Sequence, residues 1–131
     1  IIHLEEIRKN KDQKEINSIL DKCSNYGAEV MLALNPETPA EEILDYSDII
    51  FMVQLLAVPP GPSGQIFDKK IIEKIGFLKE RAPDILIEVD GGINPETAKL
   101  VSEVGADIVV ASSYIFNHRN PTRAFEELQL I

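Results

Sequence analysis

The feature that most constrains the fold is a regular alternation of short apolar runs with helical segments, at a period of roughly 25 residues. The apolar runs are rich in β-branched residues and are predicted to be strands. They cover residues 1–5, 30–35, 48–58, 85–89 and 108–111. Between them, apolar residues recur at helical spacing. Thr38 and Glu41 are predicted to form a capping box, and Asn94, followed by a proline, is predicted as a helix N-cap. Helices are therefore predicted at 11–26, 38–45, 68–83, 94–105 and from 120 onward.

The strands are apolar along their length rather than alternating, which is typical of a parallel sheet covered on both faces. Helices between such strands predict an α/β fold, either a doubly wound sheet or a segment of a (βα) barrel. The 131 residues contain no linker or low-complexity stretch, so we expect residues 1–131 to form one domain. In both architectures a ligand binds at the carboxyl ends of the strands.

Composition narrows the partners that such a domain can have. The formal net charge is −9, which argues against a nucleic acid or an anionic membrane as partner. The longest apolar stretch, 49–60, is interrupted by Gln54 and is shorter than the roughly 18 residues of a membrane span. Cys23 is the only cysteine, which excludes an internal disulfide or a cysteine-based zinc site and fits a reducing cytoplasm. Small molecules and other proteins remain as possible partners.

The first candidate site residue is Asp90, which ends an apolar strand and is followed by Gly91 and Gly92. One interpretation is a tight turn in which backbone N–H groups satisfy the carboxylate. The other is a functional site, with Asp90 as a base or metal ligand and the glycines offering N–H groups to an anion. The sequence alone leaves both open.

Two further segments could contact an anion. Ala111, Ser112 and Ser113 follow the last strand, where small residues at the start of a helical turn present backbone N–H groups. A long Gly/Pro loop with Gly61, Ser63 and Gly64 follows the third strand. It is either a lid or phosphate-contacting loop, or only a polar turn. Phosphate sites in barrels form from the last two βα loops and a short helix, which favours the first segment.

Residues outside these loops are less informative. His3 and Glu5 are two apart in a predicted strand, so both should point to the same side. The pair is either a hydrogen-bonded structural pair or a support for the site. His118 lies in a polar stretch and is interpreted as surface, and Cys23 lies on an apolar helix face and is interpreted as packing.

Taken in order, these segments resemble the ribulose-phosphate 3-epimerase family. IIHLEE is similar to the fourth barrel strand of that family, and VMLALNPETPAEE is similar to its fifth strand and loop. PPGPSGQIF corresponds to the loop after the sixth strand, IEVDGGI to the seventh strand and GADIVVASSYIF to the eighth. The resemblance implies a partial TIM barrel of about five parallel βα units, corresponding to strands 4 to 8.

The resemblance also implies a chemistry. Members of the family interconvert ribulose 5-phosphate and xylulose 5-phosphate by metal-assisted proton transfer between two bases. Asp90 matches the aspartate that is both metal ligand and acid/base, with a divalent metal such as Zn, Fe, Mn or Co as cofactor. His3 and Glu5 would then support the site. The segments that hold the phosphate of the sugar are matched by Gly61, Ser63, Gly64, Gly91, Gly92, Ala111, Ser112 and Ser113.

The family's other metal ligands, two histidines and an aspartate on strands two and three, have no counterpart in this chain. Two alternatives to an active epimerase therefore stay open. One is a non-catalytic sugar-phosphate-binding or self-assembling half-barrel module, and the other is a different phosphate-binding barrel such as a hexulose-phosphate synthase. Because five parallel strands leave two unpaired sheet edges, we expect a homodimer or larger homo-oligomer through those edges or the open core face.

Overall fold

A computed structural model describes residues 1–10 and 13–131 as one parallel sheet with helices between the strands. The strands are β1 (Ile2–His3), β2 (Leu32–Leu34), β3 (Met52–Leu56), β4 (Leu86–Asp90) and β5 (Ile108–Val110). The helices are α1 (Leu4–Asn10), α2 (Gln13–Asn25), α3 (Ile71–Arg81), α4 (Pro95–Glu103), α5 (Ser113–Phe116) and α6 (Pro121–Gln129), with a 3-10 helix at Ala40–Tyr46.

The strand order decides between the two predicted architectures. The order is β1-β2-β3-β4-β5, and every neighbouring pair is parallel. A doubly wound sheet reverses direction at a switch point, so its strand order is not sequential. A sequential parallel order is that of a (βα) barrel. The predicted α/β fold with about five parallel βα units, a partial TIM barrel, is confirmed.

One face of the sheet packs against the helices and forms the core. On this face the residues of the three central strands, β2, β3 and β4, are all buried: Leu32, Leu34, Val53, Leu55, Ile87 and Val89. The same core cluster includes Ile75 and Leu78 of α3 and Val101 of α4, which have no exposed surface. Complete burial of such side chains contributes about 1.5–3 kcal/mol each. This face fixes the sheet and with it the positions at which the strands end.

The opposite face of the sheet is called the open face below. Its residues are His3, Ala33, Met52, Gln54, Leu56, Leu86, Glu88, Asp90, Ile108 and Val110. The side chains of Leu86 and Ile108 are 40% and 37% exposed. The expectation of a sheet covered on both faces is therefore wrong for β4 and β5. β4 and β5 contain apolar residues on both faces, but the described residues cover only the core face of these two strands.

The start of the chain also differs from the prediction. A strand was expected over 1–5, but β1 contains only Ile2–His3 and α1 begins at Leu4. Leu4 is completely buried in the helical conformation, and this burial outweighs the local strand pattern. The predicted helix 11–26 is present as α2, while Lys11 and Asp12 lie outside the described residues.

The predicted N-terminal cap is present in one helix and absent from another. Asn94 caps α4 as expected, since its side chain accepts hydrogen bonds from the backbone of Glu96 and Thr97. The capping box expected at Thr38 is wrong. The segment after it forms a 3-10 helix without a side-chain cap, and the Thr38 hydroxyl instead donates to the Glu5 carboxylate. A partner far away in sequence replaces the local one.

Candidate functional site

The carboxyl ends of β3, β4 and β5 surround a cavity of about 200 Å³. Seven of the predicted phosphate-site residues line it together with Asp90, and they come from three separate loops. The cavity is lined by Leu56, Val58 to Gln65, Asp90 to Ile93, Val110, Ser112 and Ser113. Ala111 is not among the lining residues. The structure thus brings the sequence-predicted loops after β3, β4 and β5 into one place.

Asp90 is the ionisable side chain of this lining. It is the last residue of β4, with Leu56 and Val110 as its partners on the two neighbouring strands. Its backbone carbonyl accepts a hydrogen bond from Ala57 N at 2.8 Å, which fixes the strand end. Burial raises the pKa of the Asp90 carboxyl above its ordinary value of 3.8, and a backbone hydrogen bond from Gly91 opposes this. A carboxyl group with a raised pKa in a cavity is suited to proton transfer.

Glycine is required at positions 91 and 92 both by the backbone conformation of the turn and by atoms of the neighbouring loop that lie close to them. The φ angles of Gly91 and Gly92 are +111° and +63°. A Cβ on Gly92 would lie 2.8 Å from Phe67 N, and a Cβ on Gly91 would lie 2.6 Å from Cγ2 of Val58. The loop after β4 can therefore lie against the loop after β3 only if these two positions lack side chains. Phe67 ends the segment PPGPSGQIF and Val58 directly precedes it, but the sequence pattern did not indicate that either residue contacts a glycine.

The loop after β3 is held together by Gln65. Its Nε2 donates to Pro59 O at 2.9 Å and to Pro62 O at 3.0 Å. Gly64 has a φ of +88°, which places it in the left-handed region that favours glycine. Ser63 and Gly64 line the cavity in this loop. The motif contained Gln65, but its two backbone partners are visible only in the structure.

Ser112 and Ser113 begin the short helix α5 on the other side of the cavity. The Ser112 side chain makes no capping hydrogen bond to α5, so its hydroxyl is not used within the helix. The helix is linked to α6 by Tyr114, whose hydroxyl donates to Glu127 at 2.7 Å. His118, expected at the surface, is partly buried, and its Nδ1 lies 3.0 Å from Asn120 N.

His3 and Glu5 come together, but not in the cavity. His3 Nδ1 lies 3.8 Å from Glu5 Oε2, although Glu5 belongs to α1 and not to a strand. Burial acts to raise the pKa of Glu5, yet hydrogen bonds from Thr38 and Asn35 N outweigh it and lower the pKa. These contacts attach the start of α1 to the loop after β2.

A second set of hydrogen bonds also holds the loop after β2, and the sequence pattern did not indicate it. Lys74 of α3 donates from Nζ to three backbone carbonyls, at 3.0 Å for Asn35, 2.5 Å for Pro36 and 2.6 Å for Thr38. Burial lowers the pKa of this ammonium group. The loop after β2 is thus fixed from two sides. Its N–H and hydroxyl donors bind Glu5, and its carbonyl acceptors bind Lys74.

The donor set around Asp90 does not fit the divalent metal that the resemblance implies. Among the side chains that the structure describes, those of residues 1–7 and 16–131, no group of three or more His, Cys, Asp or Glu could hold a metal ion. The cross-strand neighbours of Asp90, Leu56 and Val110, have no ligand atoms. Divalent ions take several nitrogen, oxygen or sulfur ligands, so the described residues do not form such a site by themselves.

None of the helices in the described part of the chain is long and apolar enough to cross a membrane.

The sheet and cavity define a parallel (βα) protein of the barrel type, with a cavity at the carboxyl ends of the strands, where proteins of this class bind their ligands. The model of the ribulose-phosphate 3-epimerase family matches residues 1–116. The chain belongs to this family.

Individual relatives agree with the family match. The chain is 32% identical over 111 residues to the ribulose-phosphate 3-epimerase of Schizosaccharomyces pombe, covering 85% of this chain and 49% of the relative. It is 39% identical over 122 residues to that of Chlamydia trachomatis, covering 88% and 50%. For the Bacillus subtilis enzyme the identity is 39% over 108 residues, covering 79% and 50%. The chain spans about half the length of these curated relatives.

Proposed function

We propose that this chain binds a sugar phosphate, ribulose 5-phosphate, with the phosphate group in the cavity between the loops after β3, β4 and β5. The observation that carries the proposal is the shared lining of one cavity by glycine backbone, serine hydroxyls and Asp90. Gly64, Gly91 and Gly92 line the cavity and have no side chain to cover their N–H groups, and Ser112 adds a hydroxyl that makes no helix cap. Backbone N–H groups can bind a phosphate without a lysine or arginine.

Asp90 is proposed to transfer the proton at C3 of the sugar. Epimerisation at C3 next to the C2 carbonyl requires that a base remove the C3 proton while the electron pair moves to the carbonyl oxygen. An acid then returns a proton to the opposite face of C3. The raised pKa of Asp90 allows it to act as base on one face, and the same group returns the proton in the reverse direction.

The cavity lining favours a second candidate function, binding without turnover. Inversion needs an acid/base group on each face of C3, and Asp90 is the ionisable side chain among the lining residues. We therefore propose that turnover requires a second acid/base group, and a metal site, from further βα units. Without them the chain is a sugar-phosphate-binding module.

The test is a pair of measurements on the chain and two matched variants. Asp90→Asn removes the acid/base group, and Asp84→Asn makes the same change at the exposed residue before the amino end of β4. Ribulose 5-phosphate binding is measured by calorimetry, and epimerisation is measured by a coupled assay with and without added divalent metal.

We expect all three proteins to bind ribulose 5-phosphate, because the phosphate contacts are unchanged in both variants. Any turnover should be lost in Asp90→Asn and kept in Asp84→Asn. Equal turnover in Asp90→Asn would exclude the acid/base role, and failure of the unmodified chain to bind would refute the phosphate site.

β1 and β5 are the edge strands of the sheet, and an unpaired edge favours association. We propose that the isolated chain forms a homodimer or larger homo-oligomer through these edges or the open face, which light scattering at high concentration would test. A cytoplasmic location is proposed from the single Cys23.

A further inference from the structure

The loop after β3, residues 58–67, is anchored at both ends beside the strand end that carries Asp90. Asp68 N donates to Ala57 O at 2.8 Å, and this hydrogen bond closes the base of the loop. Ala57 N in turn donates to the backbone carbonyl of Asp90, also at 2.8 Å. The residues between the two anchors therefore start and finish at a fixed place on the rim of the cavity.

The backbone of this loop is not stabilised by hydrogen bonds of its own. Among the described residues, no backbone–backbone hydrogen bond begins or ends at a position from 58 to 67. Positions 59, 60 and 62 are prolines, which have no N–H group to donate. The remaining N–H groups at cavity-lining positions donate to no other described residue, and they belong to Gly61, Ser63, Gly64 and Gln65. These donors are therefore available to an anion.

The side chain of Gln65 supplies the donors that the prolines lack. Its Nε2 donates to the carbonyl oxygens of Pro59 and Pro62, as described above. A carboxamide has two N–H groups, so both are used. A Cβ on Gly61 would lie 3.6 Å from this Nε2, so the carboxamide also lies close to the Gly61 backbone. One side chain thus joins positions of the loop that make no backbone hydrogen bond to each other.

Gln65 also decides which polar groups of the loop are left for a ligand. The Pro62 carbonyl points toward Gln65, and the peptide bond between Pro62 and Ser63 is trans. In a trans peptide the N–H points opposite to the C=O, so the Ser63 N–H points away from Gln65. Carbonyl oxygens repel an anion, and two of them are bound by Gln65. The loop therefore offers donors rather than acceptors to a phosphate.

The prolines limit the other conformations that the loop can adopt. Pro59, Pro60 and Pro62 have a nearly fixed φ, and the residue before a proline is restricted as well, which applies to Val58 and Gly61. A segment with few alternatives loses little entropy when two hydrogen bonds fix it. A lid, in contrast, moves between an open and a closed position when its ligand binds. Proline content and hydrogen bonds both favour a loop that is fixed before binding.

We propose that Gln65 is a positioning residue that holds the loop after β3 in its anion-binding conformation before the ligand arrives. The loop is then a preformed cradle for a phosphate and not a lid. Gln65 acts through Pro59 and Pro62, so its loss weakens phosphate binding without lowering the stability of the whole domain. This proposal rests on the phosphate site proposed above.

The test compares Gln65→Met with the unmodified chain. Methionine has about the length of glutamine but no N–H donor, and it adds no charge. Gln129→Met makes the same change at the exposed end of α6 and is the matched control. Calorimetry measures the binding of inorganic phosphate. Backbone order parameters S² of the ¹⁵N-labelled proteins are measured at Gly61, Ser63 and Gly64, with and without phosphate. Urea unfolding checks that both variants fold.

In the unmodified chain and in Gln129→Met, we expect S² of about 0.85 at the three loop positions without phosphate, a value typical of rigid backbone. In Gln65→Met the three values should fall below about 0.6. The affinity of Gln65→Met for phosphate should fall by about tenfold, because the binding conformation is then only a minor part of the population. The urea midpoint should be the same in all three proteins.

Low order parameters in the unmodified chain that rise only when phosphate is added would identify a lid and overturn the proposal, even without the variant. Unchanged affinity in Gln65→Met would overturn it too, as would weaker affinity while the loop stays rigid. In these outcomes the unmodified chain still binds phosphate, so the proposed function survives. An unmodified chain that binds no phosphate would refute the proposed function and this proposal together.

Discussion

Replacing Gly92 by alanine tests how tightly the loops around the cavity are packed. Gly92 has a φ of +63°, and a Cβ built there would lie 2.8 Å from both N and Cβ of Phe67 and 2.9 Å from its Cα. The obstacle is mostly backbone, which cannot rotate away as a flexible side chain could. Gly92→Ala must therefore either move the segment that contains Phe67 or change the turn after β4.

The expected cost has two parts. The left-handed conformation costs an L-residue about 1–2 kcal/mol. Overpacking against neighbouring atoms typically adds about 1–3 kcal/mol. The free energy of unfolding should therefore decrease by about 2–5 kcal/mol. Gly27→Ala is the matched control, because Gly27 has a φ of +68° but a Cβ there would meet nothing within 4 Å. Gly27→Ala should show only the cost of the left-handed conformation, about 1–2 kcal/mol.

The assay is urea unfolding of both variants, followed by circular dichroism. Any effect of alanine on the unfolded chain is shared by the two variants and cancels in their difference. Gly92→Ala should be less stable than Gly27→Ala by about 1–3 kcal/mol and should bind inorganic phosphate more weakly. If the two variants lose equal stability, the close approach of Phe67 to Gly92 is not an energetic constraint and the reasoning is refuted.

Three further changes are predicted. Because burial raises the pKa of Asp90, the free energy of unfolding should fall as pH rises from 3.8 through that raised pKa. Urea unfolding of Asp90→Asn at several pH values should lack this decrease. For Asp107 burial acts to raise the pKa, but hydrogen bonds from Lys79 and from the Ile87 N–H outweigh it and lower the pKa. Its stabilisation should be present above pH 3.8 and be lost as pH falls through the lowered pKa, so an acid titration of Asp107→Asn should be flatter than that of the unmodified chain. Asn94→Ala should lower the melting temperature through the loss of about 0.5–2 kcal/mol, since two N–H groups of α4 lose their cap, and an unchanged melting temperature would contradict this.

The layout of the fold was predictable because its signals are local. Apolar runs, helical spacing and the Asn94 cap each depend on residues close in sequence. The Thr38 prediction failed because the hydroxyl is taken by Glu5, which is 33 residues away. The exposure of Leu86 could not be predicted, since an apolar strand residue looks the same whether or not its face is covered.

The candidate site was predictable to a similar extent. Placing ligand loops after the strands follows from the parallel order, so the grouping of Gly64, Asp90 and Ser112 could be expected. The contact of Phe67 with Gly92 is long-range and depends on how two loops meet. The two hydrogen bonds of Gln65 lie within one loop, but they depend on a loop conformation that the sequence pattern does not specify.

The most direct test of the central claim is a titration of the ¹⁵N-labelled chain with ribulose 5-phosphate, followed by amide chemical shifts. We predict saturable shifts at Gly64, Gly91, Gly92 and Ser113, which line the cavity, while Gly27 and Gly105 on distant turns stay unchanged. Inorganic phosphate should shift the same amides. Unchanged amides at the cavity, or shifts confined to other parts of the chain, would contradict the assignment of this cavity as a sugar-phosphate site.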